Sequence, residues 1–531
     1  MIIHQGGPVH YDCDYLIIGS GFGGSVSALR LAEKGYSVTV LEQGRRFRPQ
    51  DYAKSNWNLP KAFWLPALGL HGIQAMTLMK DVFILHGAGV GGGSLVYANN
   101  LLTPPDPIFE DPIWGGPGWK EKMDTYYQRA RTMLGATPSV SITRADELLK
   151  ECAEEQGRGD TFHINDVGVY FGEEDVTVPD PYFGGAGPDR TGCIKCGACM
   201  TGCRYGSKNT LDMNYLHLAE RLGVQIIPRT RAIDVRPAKK GGYIVHMEKL
   251  GGLIKPRKQV RAKGVVFAGG VMGTVPLLLK CKHRGSLPNL SHQLGNVVRT
   301  NSEALVGVLA DKMDVDYSEG IAITSGVYPD DNTHIETVRY GKGNDAMSMI
   351  ATVLVGGGEF WPRPLRFLAT LLLHPIRFVR SILPRNWAQR MTILLVMQKI
   401  DNYLRFEYVK KWWKLGQQGI TSNWHTDKRV PSYIPVANQY AKTMAKKIGG
   451  RPMSVLPEVF FDTSSTAHIL GGCIMSHSAR EGVVDFSGKV HGYDDLYVID
   501  GSVVPVNLGV NPSLTITALA EYFMDLFPKK G

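Results

Sequence analysis

Apolar residues along this chain recur at two spacings, and the switches between them mark out its elements. An apolar run at 15–18 empties into Gly19-Ser-Gly-Phe-Gly-Gly24, after which Leu29, Leu31 and Ala32 fall at helical spacing up to Gly35. A second apolar run, 38–41, ends on Glu42. The pattern predicts a strand, a tight glycine turn, a helix and a second, parallel strand. Further helices are predicted at 120–134 and 211–222, and strands at 224–227, 231–235 and 243–247. At 264–274 an apolar strand again runs into glycines, with a helix at 275–279. Between 304 and 462 the stretches 321–327 and 348–355 alternate with a period of two, as expected of an antiparallel sheet with insertions.

The first unit has the parts needed to grip a dinucleotide. Gly19 permits the sharp turn, Gly21 lets the backbone approach a pyrophosphate on the helix N-terminus, Gly24 lets helix and strand pack closely, and Glu42 can accept from a ribose hydroxyl. A second glycine cluster holds Gly87, Gly89, Gly91, Gly92, Gly93 and Ser94 between apolar residues, so its main-chain amides are expected to line a flat ligand. Gly269 and Gly273 form the third approach. Three glycine-lined approaches to one ligand favour FAD over NAD. The expected architecture is α/β: a discontinuous Rossmann-like FAD-binding domain at 1–103, 204–303 and 463–531, interleaved with an α+β substrate domain at 104–203 and 304–462 built on an antiparallel sheet.

Composition changes this picture little. At 531 residues, with 44% hydrophobic and 20% charged residues, the chain can bury a sizeable core. The net charge of +10 comes without a lysine and arginine tract carrying interleaved aromatics, so no nucleic-acid partner is expected. The N-terminus has no basic region followed by an apolar stretch, and four of the eight cysteines crowd into 193–203; both point to a cytoplasmic protein.

That cysteine segment, Cys193, Cys196, Cys199 and Cys203, has the C-x2-C-x2-C-x3-C spacing of a bacterial ferredoxin loop, with Arg204 where a proline follows in ferredoxins. An iron–sulfur cluster, zinc and unliganded thiols are the three readings. Residues 60–79 are apolar and broken by proline and glycine, as in a buried loop or a lid. The insertion 360–400 sets Arg363, Arg366, Arg377, Arg380, Arg385 and Arg390 among leucines and isoleucines. It reads either as a solvated cap or as a surface docking on anionic lipid, peripheral on the inner face of a membrane.

The C-terminal motifs His468-Ile-Leu-Gly-Gly-Cys473, Asp500-Gly501-Ser502 and Gly509-Val-Asn511-Pro512 resemble the corresponding half-domain of the glucose-methanol-choline (GMC) oxidoreductases, and with the two glycine loops the likeness is to the cholesterol-oxidase-like branch. The resemblance implies non-covalent FAD and hydride removal from a carbinol carbon, with His468 and Asn511 as catalytic pair and Asp500 and Gly501 contacting the flavin nucleotide. The imidazole could take the hydroxyl proton while the amide fixes the same oxygen. By itself, Asn511-Pro512 also reads as a helix cap. The substrate expected is a hydrophobic alcohol, a sterol 3-hydroxyl in the first place, with O2, a quinone or an electron carrier as acceptor. Long-chain aliphatic alcohol oxidation and a flavin-fold membrane-binding protein without turnover are the competitors. Tyr97 stands where steroid-oxidising relatives commonly place asparagine, and Glu336 and Glu359 are the candidates for the glutamate that moves a steroid double bond.

Overall fold

The computed structural model describes residues 10–252, 254–358, 361–382, 385–410, 418–425 and 427–531. Strand β1 (Cys13–Ile18), helix α1 (Phe22–Glu33) and strand β2 (Val38–Leu41) form the first predicted unit. The chain returns to it as β3 (Gln225–Ile227), β4 (Thr230–Pro237), β5 (Tyr243–Lys249), β6 (Arg257–Phe267) and helix α2 (Val271–Arg284), and once more as β7 (Leu496–Val498) and helix α3 (Ser513–Asp525). These seven strands make one sheet in the order β3-β2-β1-β6-β5-β4, with β7 beside the end of β6. Pairings from β3 through β6, and that of β6 with β7, are parallel, whereas β4-β5-β6 is an antiparallel meander.

Glycine sets how closely this layer packs. A Cβ on Gly23 would stand 1.8 Å from the carbonyl oxygen of Ile499, and one on Gly24 2.1 Å from that of Gly19. The fingerprint helix therefore lies directly on the end of β1 and on the segment leaving β7. On its outer side α1 packs against α3. There Arg30 donates two parallel bonds of 2.8 Å to buried Glu521, which also accepts from Tyr215 Oη at 2.7 Å. This fork of charge-assisted bonds ties the first helix of the chain to the last.

A second seven-stranded sheet is antiparallel throughout, in the order 351–353, 450–455, 304–310, 391–398, 333–338, 323–330 and 163–164. The helix predicted at 275–279 extends over Val271–Arg284, and that at 211–222 shortens to Tyr215–Arg221, where the Asn214 side chain accepts from the Tyr215 amide and starts the helix.

The insertion forms helices Arg363–Leu373 and Pro375–Ile382, and three of its six arginines are bound to backbone carbonyls. Arg363 is buried and donates to the carbonyls of Ser432, Glu458 and Val355, Arg366 donates to that of Gly357, and Arg390 to that of Ala310. Arg385 is exposed, and the side chains of Arg377 and Arg380 lie outside the described structure. What faces outward is apolar: Leu372 is 83% exposed, Leu373 75%, Ile376 68% and Val379 68%. The carbonyls that Arg363, Arg366 and Arg390 bind all lie outside these two helices, so the guanidinium groups tie the insertion to neighbouring segments. Among the described residues no helix is long and apolar enough to cross a membrane.

We expect Gly23→Ala to destabilise the protein by about 1–3 kcal/mol, since the Cβ meets backbone that cannot yield. Gly21→Ala, whose Cβ meets nothing within 4 Å, should stay within about 0.5 kcal/mol of the parent. Urea denaturation of both proteins checks the pair, and equal midpoints would contradict the close approach.

Candidate active site

A single cavity of about 710 Å3 runs between the two sheets. One part is walled by the glycine turns, Gly19, Gly21, Gly269, Gly270, Gly273 and Gly501 among them, together with Glu42 and Asp500. The other part is walled by Leu305, Ile323, Val338, Trp387, Ile393 and Leu395, which belong to the antiparallel sheet or its borders. Gly21, Gly270 and Gly273 each have open space where a Cβ would point, so a side chain there would fill the cradle. That bare backbone beside a helix N-terminus suits the pyrophosphate of a dinucleotide, and FAD fits the residues present.

The acids at the cradle are both buried and satisfied. Glu42 accepts from Ser20 Oγ at 2.7 Å and from the Gly44 amide at 2.8 Å; burial raises its pKa despite these bonds. Ser20 Oγ in turn accepts from the Gly91 amide at 3.1 Å. Asp500 accepts from the Gly270 amide at 2.8 Å and from Thr274 Oγ1 at 2.5 Å, and burial raises its pKa as well. Gly89, Gly91, Gly92 and Ser94 do not line the cavity, unlike Gly87 and Gly93. They stand behind it: a Cβ on Gly92 would lie 2.6 Å from the Gly21 Cα, so this cluster buttresses the first turn. Gly24 serves packing, and the strand 230–237 reaches the cavity with Thr230, Arg231, Ala232 and Ile233.

His468 and Asn511 open on the same cavity. His468 follows the short strand Ser464–Thr466, and its Nδ1 donates to Glu303, whose other oxygen accepts from the Ala467 amide at 2.8 Å. A proton held at Nδ1 leaves Nε2 bare. Asn511 Nδ2 lies 3.4 Å from that atom and donates to Glu336 Oε2 at 3.2 Å, while Asn511 Oδ1 accepts from Asn100 Nδ2 at 3.2 Å. Asn511 is therefore no helix cap. Pro512 holds the cap position of α3, without a side-chain cap bond, and the amide of Asn511 is spent on its neighbours in the site.

One turn positions both residues. Asn301, with φ +57°, accepts from the Gly509 amide at 2.8 Å and donates to the Val510 carbonyl at 3.0 Å, which fixes the loop ending at Asn511. Two residues on, Glu303 holds His468. Burial alone would lower the His468 imidazole, but the charge and hydrogen bond of Glu303, with the charge of Glu336, hold it above the ordinary histidine value. Burial pushes Glu336 up to about 7, against the hydrogen bonds of Asn511, Asn165 and Asn100 and the charge of His468.

Glu303, Asn100 and Asn165 carry no motif, and sequence reasoning missed them; Asn100, three residues past Tyr97, was the one legible hint. Glu336 does not line the cavity but stands behind Asn511 and Asn100. Glu359 lies outside the described residues.

The four clustered cysteines do not form the expected ligand set: among the described residues no three His, Cys, Asp or Glu side chains converge to hold a metal ion. They border a separate cavity of about 190 Å3 that also takes in Arg204 and Lys208. Cys193 packs into an apolar cluster with Val167 and Ile321. Burial raises the Cys193 thiol to about 12 and that of Cys196 to about 11, so both are held protonated in the metal-free protein. The Lys208 ammonium, bound to the carbonyls of Leu95, Tyr97 and Cys199, adds a positive charge that opposes a bare cation.

Comparison with known proteins gives a consistent result. The family model described as GMC oxidoreductase matches residues 186–294 and 387–520, and a model of NAD(P)-binding Rossmann-like domains matches 17–74. A cholesterol oxidase of Mycobacterium tuberculosis (strain ATCC 25618 / H37Rv) is 46% identical over 98% of this chain and 92% of its own. One from Acinetobacter baumannii is 44% identical over 98% and 95%. A long-chain-alcohol oxidase of Arabidopsis thaliana is 24% identical over 96% of this chain and 67% of its own. The crystal structure of pyridoxine 4-oxidase from Mesorbium loti shares the fold, with a TM-score of 0.61 at 14% identity over 97% of this chain and 99% of that one.

In Glu303→Gln the opposing charge is gone and burial dominates. The His468 imidazole should then titrate about 1–3 pH units lower than in the parent. NMR titration of 15N-histidine-labelled protein checks this, and an unchanged value would remove Glu303 as the cause.

Proposed function

Because this chain belongs to the GMC oxidoreductases, we propose that it is an FAD-dependent enzyme that oxidises the CH-OH group of a hydrophobic alcohol, a sterol 3-hydroxyl in the first place. The observation that carries this reading is one cavity shared by a glycine cradle, an apolar wall and the pair His468 and Asn511. Gly19, Gly21, Glu42, Gly269, Gly273, Asp500 and Gly501 would hold FAD, and Gly24, Gly89, Gly91, Gly92 and Ser94 would keep that cradle in shape. Bound there, FAD supplies the hydride acceptor.

The protein's own part is to bind, orient and take a proton. Apolar side chains of the antiparallel sheet exclude water from the carbinol end. The bare Nε2 of His468 accepts the hydroxyl proton as the carbinol carbon gives up hydride, and Asn511 Nδ2 donates to the same oxygen and fixes its place. Glu303 then stabilises the imidazolium that results, as a buried carboxylate beside a charged ring does. The names of the two 44–46% identical relatives support a sterol and an oxidase that uses O2, and the more distant plant relative keeps a straight-chain alcohol as the alternative.

Anaerobic mixing with cholesterol should bleach the yellow enzyme, while His468→Ala should keep its FAD yet bleach about 10²–10⁴-fold more slowly. Bleaching by a long-chain alkanol but not by the sterol would move the substrate to the alternative, and bleaching by neither would defeat the proposal. Rapid reoxidation by air, followed by stopped flow, separates an oxidase from a dehydrogenase.

The exposed leucines of the insertion support peripheral contact with a lipid surface through apolar burial instead of arginine charge. Binding to phosphatidylcholine vesicles should then be insensitive to salt and fall at least about tenfold in Leu372→Asp, Leu373→Asp, because each leucine buried is worth roughly 1.5–3 kcal/mol. Co-sedimentation measures it, and equal binding by parent and variant would refute this contact.

A further inference from the structure

Strand 333–338 places His334 and Glu336 two residues apart, so both side chains leave the same face of the antiparallel sheet. His334 is 1% exposed and lies against His163 and Tyr328, with ring centroids 5.2 and 4.6 Å away. Its Nε2 is 3.2 Å from Nε2 of His163. Nδ1 of His163 is 2.9 Å from the carbonyl oxygen of Thr161, and His163 is half-buried, at the edge of the sheet.

The hydrogen bonds fix where the protons sit. A carbonyl oxygen only accepts, so His163 carries its proton on Nδ1 and, being neutral, presents a bare Nε2. His334 must then donate from Nε2, which leaves its own Nδ1 bare. That Nδ1 is fully buried and has no hydrogen-bond partner. It stands 4.0 Å from Oε1 of Glu336, about 1 Å beyond hydrogen-bond reach. A buried nitrogen without a partner is costly, because a hydrogen bond left unmade in the interior carries the full desolvation penalty, and a proton on Glu336 would offer it a donor.

We infer that His334 and His163 form a proton relay that connects the Glu336 carboxyl to solvent along the cavity-side face of the substrate sheet, through residues that do not themselves line the cavity. The inference rests on the proposed alcohol oxidation for its purpose. A hydrophobic substrate seated in the cavity shuts out water on that side, yet the hydroxyl proton arriving at His468 adds a positive charge next to Glu336. The relay lets Glu336 answer it. The carboxyl proton of Glu336 passes to Nδ1 of His334, the Nε2 proton of His334 passes to Nε2 of His163, and the Nδ1 proton of His163 leaves to solvent. One proton has entered at the hydroxyl and one has left at the sheet edge, and the site keeps its net charge with Glu336 ionised against the imidazolium. The same steps in reverse restore the starting state.

The surroundings suit this traffic. Burial holds both His334 and His163 below the ordinary histidine value, so each passes a proton on and neither stores it. Glu336 titrates near 7. The ionisable groups facing the chain are His468 at the cavity end and Tyr328 stacked on both rings; Arg158, paired with Asp331, lies beyond Tyr328 and donates to its carbonyl at 3.1 Å. Glu336 itself is cradled by three amides, from Asn100 at 2.6 Å, Asn165 at 2.9 Å and Asn511 at 3.2 Å.

His163→Phe keeps a ring stacked on Tyr328 and removes both nitrogens. In the holoenzyme at low buffer concentration it should turn over about tenfold more slowly at unchanged KM. His163→Ala should be slowed alike and recover as imidazole is raised, whereas the parent should not respond. Recovery that fails to appear, or a His163→Phe enzyme as fast as the parent, would overturn the relay. A second measurement does not depend on turnover: 15N-histidine NMR of the parent, where His334 should carry its proton on Nε2 with Nδ1 bare. A proton on His334 Nδ1 would refute the inference even if the protein oxidises alcohols as proposed, and the expected tautomer would uphold the arrangement even if its substrate proves different.

Discussion

The buried contact between Glu303 and His468 is the point on which the site depends. A carboxylate that is 1% exposed and donated to by an imidazole and an amide can hold one tautomer of that imidazole, and with it a bare Nε2 on the cavity side. The turn that delivers Glu303 is itself strained: Asn301 and Ser302 both adopt positive φ, at +57° and +46°. Such a conformation costs about 1–3 kcal/mol per residue and persists only where the surroundings enforce it. Here the enforcement is mutual. The Asn301 amide grips Gly509 and Val510, so the strain that places Glu303 also fixes the approach to Asn511.

This arrangement draws on segments far apart in the chain, and the interleaved fold is what brings them together. Residues near 100, 165, 303, 336, 468 and 511 meet at one place although the chain re-enters the first sheet twice in between. Two kinds of contact make the assembly rigid. At glycine positions such as Gly23 and Gly24 backbone meets backbone with no room for a side chain, and between the first and last helices Arg30 and buried Glu521 join distant parts of the chain. The site is thus supported by the sheets and by long-range contacts of the backbone, and the loops that carry it have little freedom of their own.

The fold was largely legible because its signals are local. Apolar runs that end in glycine gave the Rossmann-like unit and its later return, and two-residue alternation gave the antiparallel sheet. His468 and Asn511 were found through likeness to a family, not from their surroundings. Glu303 and Asn165 could not be found at all, because a buried acid or amide without a spacing rule looks like any polar residue. Local spacing also fell short. Four cysteines in a ferredoxin-like order left a cluster, zinc and free thiols open, because spacing says nothing about where thiols point, and two of them pack in or against an apolar cluster. Of the arginines of the insertion, read as a solvated cap or a charged docking face, Arg363, Arg366 and Arg390 became partners for carbonyls, a role that no linear pattern records.

Two buried carboxylates near the substrate sheet show how partners decide what an acid can do. Asp146 is paired with Arg339 at 3.2 Å and accepts from Thr324 and Ser325; burial raises its pKa, but the guanidinium and the hydroxyls more than offset this, so it is held below the usual carboxylate range. Its charge is fixed, and its role is to hold the sheet together. Glu336 is as deeply buried but is surrounded by amides, which solvate a carboxylate without a charge of their own. Amides stabilise the ionised form by less than a guanidinium does, and burial stabilises the neutral form, so the two come into balance near neutrality. A cation in place of any of the three asparagines would lock the proton off. The choice of three neutral donors around one acid, one of them Asn511 on the cavity wall, keeps the charge of this part of the site free to change.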